Sequence, residues 1–509
     1  MVDKQAPSLQ AQAEQIARDF DINSARIRRV TRHFVSQMKD GLVNPRIWQL
    51  PSYVKRIPTG TETGEFLAVD LGGSNCRICL VKLQGDSTFN VARSKHSVPP
   101  DVMINASYRP LFDFIAEKIA EFLRDQTGPY SLGFTFSFTC EQTSLAGGRL
   151  LRWDKGWDIP EALGRDPCAM LQEAIDRKGL PVRVTVLAND SVGTLLTRSY
   201  TSGPAISPLA AIIFGTGTNA AYVEKLRHVQ RLGATANSDG IMVINTEWGC
   251  LDDAMEVLPR TAFDDELDTA STDPGSQMLE KRVSGLYLGE LLRLTIRRLD
   301  QMGNLDMTID EKSPCSRRDG IDSSFLSELA EPRNINNTIS LIEHTLSAEN
   351  VSESDAQAIQ LIAMSIARRA ARLAGASLAA LVIQSDRLEP SPRWSKHTGR
   401  AGRFWHRLGF LWQRVSCPIW MGRLATTPAS VPFQTHKEDA IIDIAADGSL
   451  IEFYPTFEAE MRVAMREVPE VGPGGEQRIR IRLAKDGSGV GAALMAQAAG
   501  ETEKASHSP

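Results

Sequence analysis

No stretch of the chain approaches the roughly 18 apolar residues of a membrane-spanning helix, so no transmembrane segment is expected. The opening MVDKQAPSLQ lacks the basic-then-apolar order of a secretory leader. Neither sign of charge is in excess: 57 Lys and Arg stand against 62 Asp and Glu, a net charge of −5. With an isoelectric point near 6.0, nucleic acid is not expected as a partner. The seven cysteines are an odd number, scattered without metal-ligand spacing, and no metal site is expected from protein side chains alone. Cys76 and Cys79 form the one close pair. In a strand, residues three apart face opposite sides, so both are expected to be reduced core residues. These absences together predict a cytoplasmic protein. They leave the mitochondrial surface and the nucleus open.

What is present is an ordinary globular composition, 42% hydrophobic and 23% charged, over 509 residues. A chain of this length should hold two domains or two large lobes. Leu9, Ala13, Ile16 and Phe20 keep a helical spacing, as do Ile27, Val30, Phe34 and Met38 after a cap at Asn23 or Ser24. Pro45 to Gly64 is turn-rich and reads as a linker. Strands are expected over Phe66–Leu71, Arg77–Leu83, Thr88–Ser94, Ser131–Phe138, Val182–Leu187 and Leu209–Phe214. Helices are expected over Leu111–Leu123, Met170–Lys178, Gln277–Leu299 and Ser354–Ile383. Strands and helices alternate, so the class is α/β. Asp264-Asp265-Glu266 reads as a solvated face.

Three segments repeat one design: an apolar run ending in a glycine-rich or carboxylate-bearing turn. They are Asp70-Leu-Gly-Gly-Ser-Asn-Cys-Arg77, Asn189-Asp190-Ser-Val-Gly193 and Gly215-Thr-Gly-Thr-Asn219. Such turns are where an α/β protein meets a ligand. Glycine lets backbone N–H groups approach phosphate oxygens closely. Asp190 could take a proton from a hydroxyl attacking phosphorus, although by itself an Asp after a strand more often caps the next helix.

Residues 388–437 break this rhythm. Trp394, Trp405, Trp412 and Trp420 lie there, and Arg393 to Arg423 holds seven Lys or Arg and no Asp or Glu. A basic, Trp-rich stretch suits contact with an anionic membrane or a protein partner. A loop insertion, or translated non-coding sequence, is the plainer reading.

In order and over nearly the whole chain, these motifs resemble the eukaryotic, fungal hexokinase family. Phe66–Arg77 resembles that family's first phosphate segment. Gly133-Phe-Thr-Phe-Ser-Phe138 with Arg152-Trp-Asp-Lys-Gly-Trp157 resembles its sugar-binding loop. Asn189-Asp190 resembles the catalytic pair, and Gly215–Asn219 the second phosphate segment. Asn245-Thr-Glu-Trp-Gly249 and Asp273–Glu280 resemble further sugar contacts. Ala446-Asp-Gly-Ser449 and Asp486–Ala492 resemble nucleotide-side loops.

The resemblance implies a two-lobed actin-like, ribonuclease-H-like ATPase fold with a sugar cleft between the lobes. It implies N-terminal helices and a linker over 1–64, a small lobe over 65–188, a large lobe over 189–485, and a return to the small lobe over 486–509. It implies phosphorylation of a hexose, glucose foremost, at its 6-hydroxyl, with ATP and Mg2+. Asp190 would be the base. Ser137, Asp154, Lys155, Asn189, Asn219, Glu247, Gln277 and Glu280 would hold sugar. Asp70, Gly72, Gly73, Ser74, Asn75, Arg77, Gly215, Thr216, Gly217, Ser323, Gly448, Ser449, Gly487 and Gly489 would hold the nucleotide.

Some positions depart from the family pattern. Asp154 stands where a threonine is expected, Thr139 where a proline is, and Cys76 where an aromatic is. These changes resemble hexokinase-like regulatory proteins with weak or no kinase activity, which forms the alternative reading.

Overall fold

The computed structural model describes residues 8–506 apart from positions 74, 125, 127, 154–155, 238, 389–440 and 485–486. The two N-terminal helices, Leu9–Phe20 and Ser24–Val43, form where the apolar spacing places them. Asn23 caps the second, its Oδ1 accepting the Arg26 N–H at 2.9 Å. Both pack their apolar faces on the long helix Glu353–Gln384, whose own start is a reciprocal Ser352/Asp355 capping box.

Two sheets repeat one topology. In the first, Thr63–Leu71, Asn75–Gln84 and Phe89–Ser97 form an antiparallel meander. Tyr130–Phe136 and then Val182–Ala188 add in parallel on the other side of Thr63–Leu71. In the second, Ala210–Phe214, Thr218–Lys225 and Ile241–Asn245 make the meander. Ile442–Asp447 and Ile479–Leu483 then add in parallel beside Ala210–Phe214. The central strands are buried on both faces, as their unbroken apolar runs require.

Between the sheets lie the helices Asp190–Ser202 and Gly487–Ser506. They share one apolar core with residues of both sheets, including Ala68, Val81, Ala211, Val243 and Ala445. The helices meet at glycine. A Cβ on Gly491 would lie 2.1 Å from the Gly193 Cα, and one on Gly133 would lie 2.2 Å from the Ala492 carbonyl oxygen.

Three expectations need correction. Pro45–Gly64 is not only a linker, because Leu50 and Pro51 pair with Asn245 and Ile244 and extend the second sheet at its edge. The helix expected over Gln277–Leu299 is two helices, Glu280–Val283 and Gly285–Gln301, broken at an extended Ser284. The break lets the Gly285 and Leu286 N–H groups reach the Gly215 and Thr216 carbonyls, at 2.8 and 3.2 Å. Asp264 is not solvated: it is buried, caps its own helix with Thr261, and receives both Arg369 Nη atoms at 2.7 and 2.8 Å. Cys76 and Cys79 do face opposite cores, and the described cysteines are all free and buried. Among the described residues no helix is long and apolar enough to cross a membrane.

Candidate active site

Strand Val182–Ala188 delivers Asn189 and Asp190 to the start of the following helix. Asn189 is the cap, its Oδ1 accepting the Ser191 N–H at 2.9 Å and the Ser191 hydroxyl at 2.6 Å. Asp190 is therefore the first helical residue rather than the cap, at the helix's positive end, where negative charge is favoured.

From Asn189 a line of amides crosses the second sheet. Asn219 Nδ2 donates to Asn189 Oδ1 at 3.3 Å and to Asn245 Oδ1 at 2.9 Å. Asn245 Nδ2 donates onward to Glu247 Oε1 at 2.8 Å. Glu280 Oε2 accepts the Thr218 N–H at 2.9 Å. Glu247 and Gln277 both sit in left-handed backbone, at φ +47° and +55°, a local cost that the surrounding fold must hold in place. Gln277 Oε1 is buried with no hydrogen-bond partner. It lies against Gly249, where a Cβ would come within 2.5 Å. An orphaned acceptor in a cleft wall calls for a donor from a ligand.

The opposite side is built from turns. Asp70 pairs across the sheet with Arg77, whose Nη1 donates to Asp70 Oδ2 at 2.8 Å. The Ser488 hydroxyl donates to the same oxygen, also at 2.8 Å. Gly448 has φ +111°, and a Cβ there would lie 2.3 Å from the Phe214 carbonyl oxygen, so only glycine fits beside the Gly215 turn. Trp157 Nε1 donates to the Gly73 carbonyl at 2.6 Å, tying the first glycine turn to a packed cluster of Phe138, Trp153 and Trp157. Burial pushes the Asp447 carboxyl up to about 6, and the Asp190 carboxylate adds to the rise while Arg77 opposes it.

Many of these groups line one cavity of about 430 Å³. Asp70, Gly72, Gly73, Asn75, Arg77, Ser137, Asn189, Asp190, Thr216, Gly217, Asn219, Glu247, Gln277, Glu280 and Gly448 all border it. Gly215, Ser323, Ser449, Gly487 and Gly489 do not. Ser323 stands behind the turn, near Gly285, and Gly487 packs on Thr194. Ser74, Asp154 and Lys155 lie outside the described residues, as does nearly all of 388–437. Sequence reasoning passed over Asp447, Ser488 and Thr218, which also border the cavity. All three stand inside motifs given above, whose glycines and terminal polar residues carried the reading instead. The cavity thus sets carboxylates and amides suited to hydroxyls against glycine turns suited to phosphate, with Asp190 on its wall.

Two sheets of one topology around a shared pair of helices, with such a cleft, define a two-lobed sugar kinase of the actin-like class. The chain belongs to the hexokinase family: hexokinase family models match residues 12–200 and 209–498. It is 39% identical to a glucokinase of Aspergillus niger, over 97% of each chain. It is 33% identical to Hexokinase-2 of Schizosaccharomyces pombe, over 98% of this chain and 99% of that one. Among solved structures, the hexokinase of Schistosoma mansoni complexed with glucose superposes with a TM-score of 0.79 at 29% identity, covering 96% of this chain and 99% of that one.

Proposed function

We propose that the protein transfers the γ-phosphoryl group of ATP to the 6-hydroxyl of a hexose, glucose foremost. The observation that carries this is the single cavity joining the Asn189–Asn219–Asn245–Glu247 amide line to the Gly72, Gly217 and Gly448 turns, with Asp190 on its wall. The glucokinase and hexokinase relatives, and a similar structure complexed with glucose, support the same reading.

Glu247, Glu280 and the orphaned Gln277 Oε1 accept sugar hydroxyls, while Asn189 and Asn219 fix the ring. This leaves the 6-hydroxyl for Asp190. As that oxygen bonds to the γ-phosphorus, its proton passes to Asp190, the bond from phosphorus to the β–γ bridging oxygen breaks, and ADP leaves. Arg77 and the backbone N–H groups of the glycine turns meet the charge on the transferring group. Among the described residues no three ligating side chains converge on a metal site. Magnesium fits this donor set, because it takes mostly phosphate oxygens and water with one or two carboxylates, which Asp70 and Asp447 at the cavity would supply. When bound, it neutralises charge on the β- and γ-phosphates. Movement of the lobes about the shared helices would expel water, which otherwise competes with the sugar as acceptor.

A coupled assay for glucose 6-phosphate with glucose and Mg-ATP tests the proposal. Turnover of about 1–10³ s⁻¹ is expected. Glucose binding without product would favour the regulatory alternative instead.

A further inference from the structure

The N-terminal helix ends on a second cavity, of about 240 Å³, formed with the long helix Glu353–Gln384. None of its lining residues borders the cleft. Its charged lining is four arginines, Arg18, Arg368, Arg369 and Arg372, against one carboxylate, Asp21. Three of them come from positions i, i+1 and i+4 of the long helix, which brings them to one side of it.

The two inner arginines are fixed. Arg369 is 1% exposed and Arg372 3% exposed. Arg369 gives both Nη atoms to Asp264 and lays its guanidinium 4.6 Å from the centre of the Phe20 ring. Arg372 donates to the Ile22 carbonyl at 3.0 Å and to Glu467 at 2.6 Å. Asp264 and Glu467 are not among the residues that line the cavity. Arg369 Nε is buried without a partner.

The two outer arginines are held loosely. Arg368 reaches Glu460 at 3.3 Å and Asp21 only at 3.9 Å, with its side chain 54% exposed. Arg18 donates to Gln15 Oε1 at 3.1 Å, reaches Glu14 only at 3.8 Å, and is 62% exposed. Exposed pairs of this length contribute little, so both guanidiniums can turn to a better acceptor at small cost.

We infer that this cavity is a second anion site, one that takes a phosphate group, either as inorganic phosphate or as the phosphoryl end of a small sugar phosphate. Guanidinium groups match phosphate oxygens in pairs. The volume corresponds to roughly eight waters, enough for phosphate with its first waters or for a sugar phosphate. Because the site joins the N-terminal helix to the long helix, occupation would tighten that docking.

The test is phosphate titration by calorimetry on the full-length protein at fixed ionic strength, with chloride as the balancing anion. The same titration is run on the double variant Arg18→Gln, Arg368→Gln. Both positions are exposed and far from the cleft machinery, so hexose phosphorylation should be unchanged and reports correct folding. Phosphate binding to the cleft would persist in the variant, so the difference between the two proteins isolates the second site. The expected result is a component in the wild type that weakens about tenfold or more in the variant, equivalent to about 1.4 kcal/mol. A parallel titration with glucose 6-phosphate decides the source. A larger difference than with inorganic phosphate assigns a sugar phosphate, and an equal one assigns inorganic phosphate. Identical titrations for the wild type and an active variant, with either probe, would overturn the inference.

Discussion

Asp447 pays an electrostatic penalty that the cleft imposes on it. Burial, with the Asp190 carboxylate nearby, raises its carboxyl from 3.8 to about 6. Between those values the folded chain holds a proton that the unfolded chain has released, so stability falls as pH rises through this window. Asp447→Asn removes the penalty. Thermal denaturation without ligands should find the variant more stable than the wild type above about pH 6 and no different below 3.8. A gain that is the same at every pH would contradict this. Asp264 has the opposite sign. Burial alone would raise it, but the charge and hydrogen bonds of Arg369 outweigh that and hold it at about 2. Its contribution is present above 3.8 and is lost as pH falls towards 2. Asp264→Ala leaves Arg369 buried and unpaired, at a cost of about 3–5 kcal/mol measured by denaturant unfolding at neutral pH. Nothing in the local sequence separates Asp264 from its acidic neighbours. Its partner lies 105 positions away, so a local reading assigns the whole run to solvent.

At the scale of elements, the decisive contacts are backbone against backbone. Gly491 and Gly193 let the two inter-lobe helices approach so closely that a methyl group on Gly491 would lie 2.1 Å from a Cα. Gly491→Ala must spread these helices, an overpacking change worth about 1–3 kcal/mol, and should lower kcat as well as stability. A variant matching the wild type in both would show that the contact is not needed. Strand ends and capped helices were legible because period and cap chemistry are local: Asn23, the run before Asp70 and the run before Asn189 all fall where expected. The break at Ser284 was not, because the apolar spacing continues through it and the cause is a distant turn at Gly215 and Thr216. For the same reason, the glycine-rich motifs pointed to turns of the cleft but did not separate Gly448, which borders the cavity, from Gly487, which packs on Thr194, and Gly489, which packs near Cys79.

At the scale of the molecule, the described residues stop at Leu388 and resume at Ile441, the residue before the strand Ile442–Asp447 of the second sheet. The main-chain carbonyls of Arg387 and Leu388 accept hydrogen bonds from Arg478, so this end of the described chain is anchored. Replacing residues 389–440 by a short flexible linker should leave glucose affinity and turnover nearly unchanged, read by calorimetry and the coupled assay. Loss of folding would instead make the segment part of the core. Asp190 stands on the wall of the one cavity that the proposed sugar and phosphate groups share. Asp190→Ala puts that to the most direct measurement: kcat for glucose phosphorylation together with glucose affinity by calorimetry. Loss of the base should lower kcat by about 10²–10⁴ while glucose binding stays measurable. Unchanged turnover in a variant that binds glucose normally would remove Asp190 from the chemistry and contradict the account.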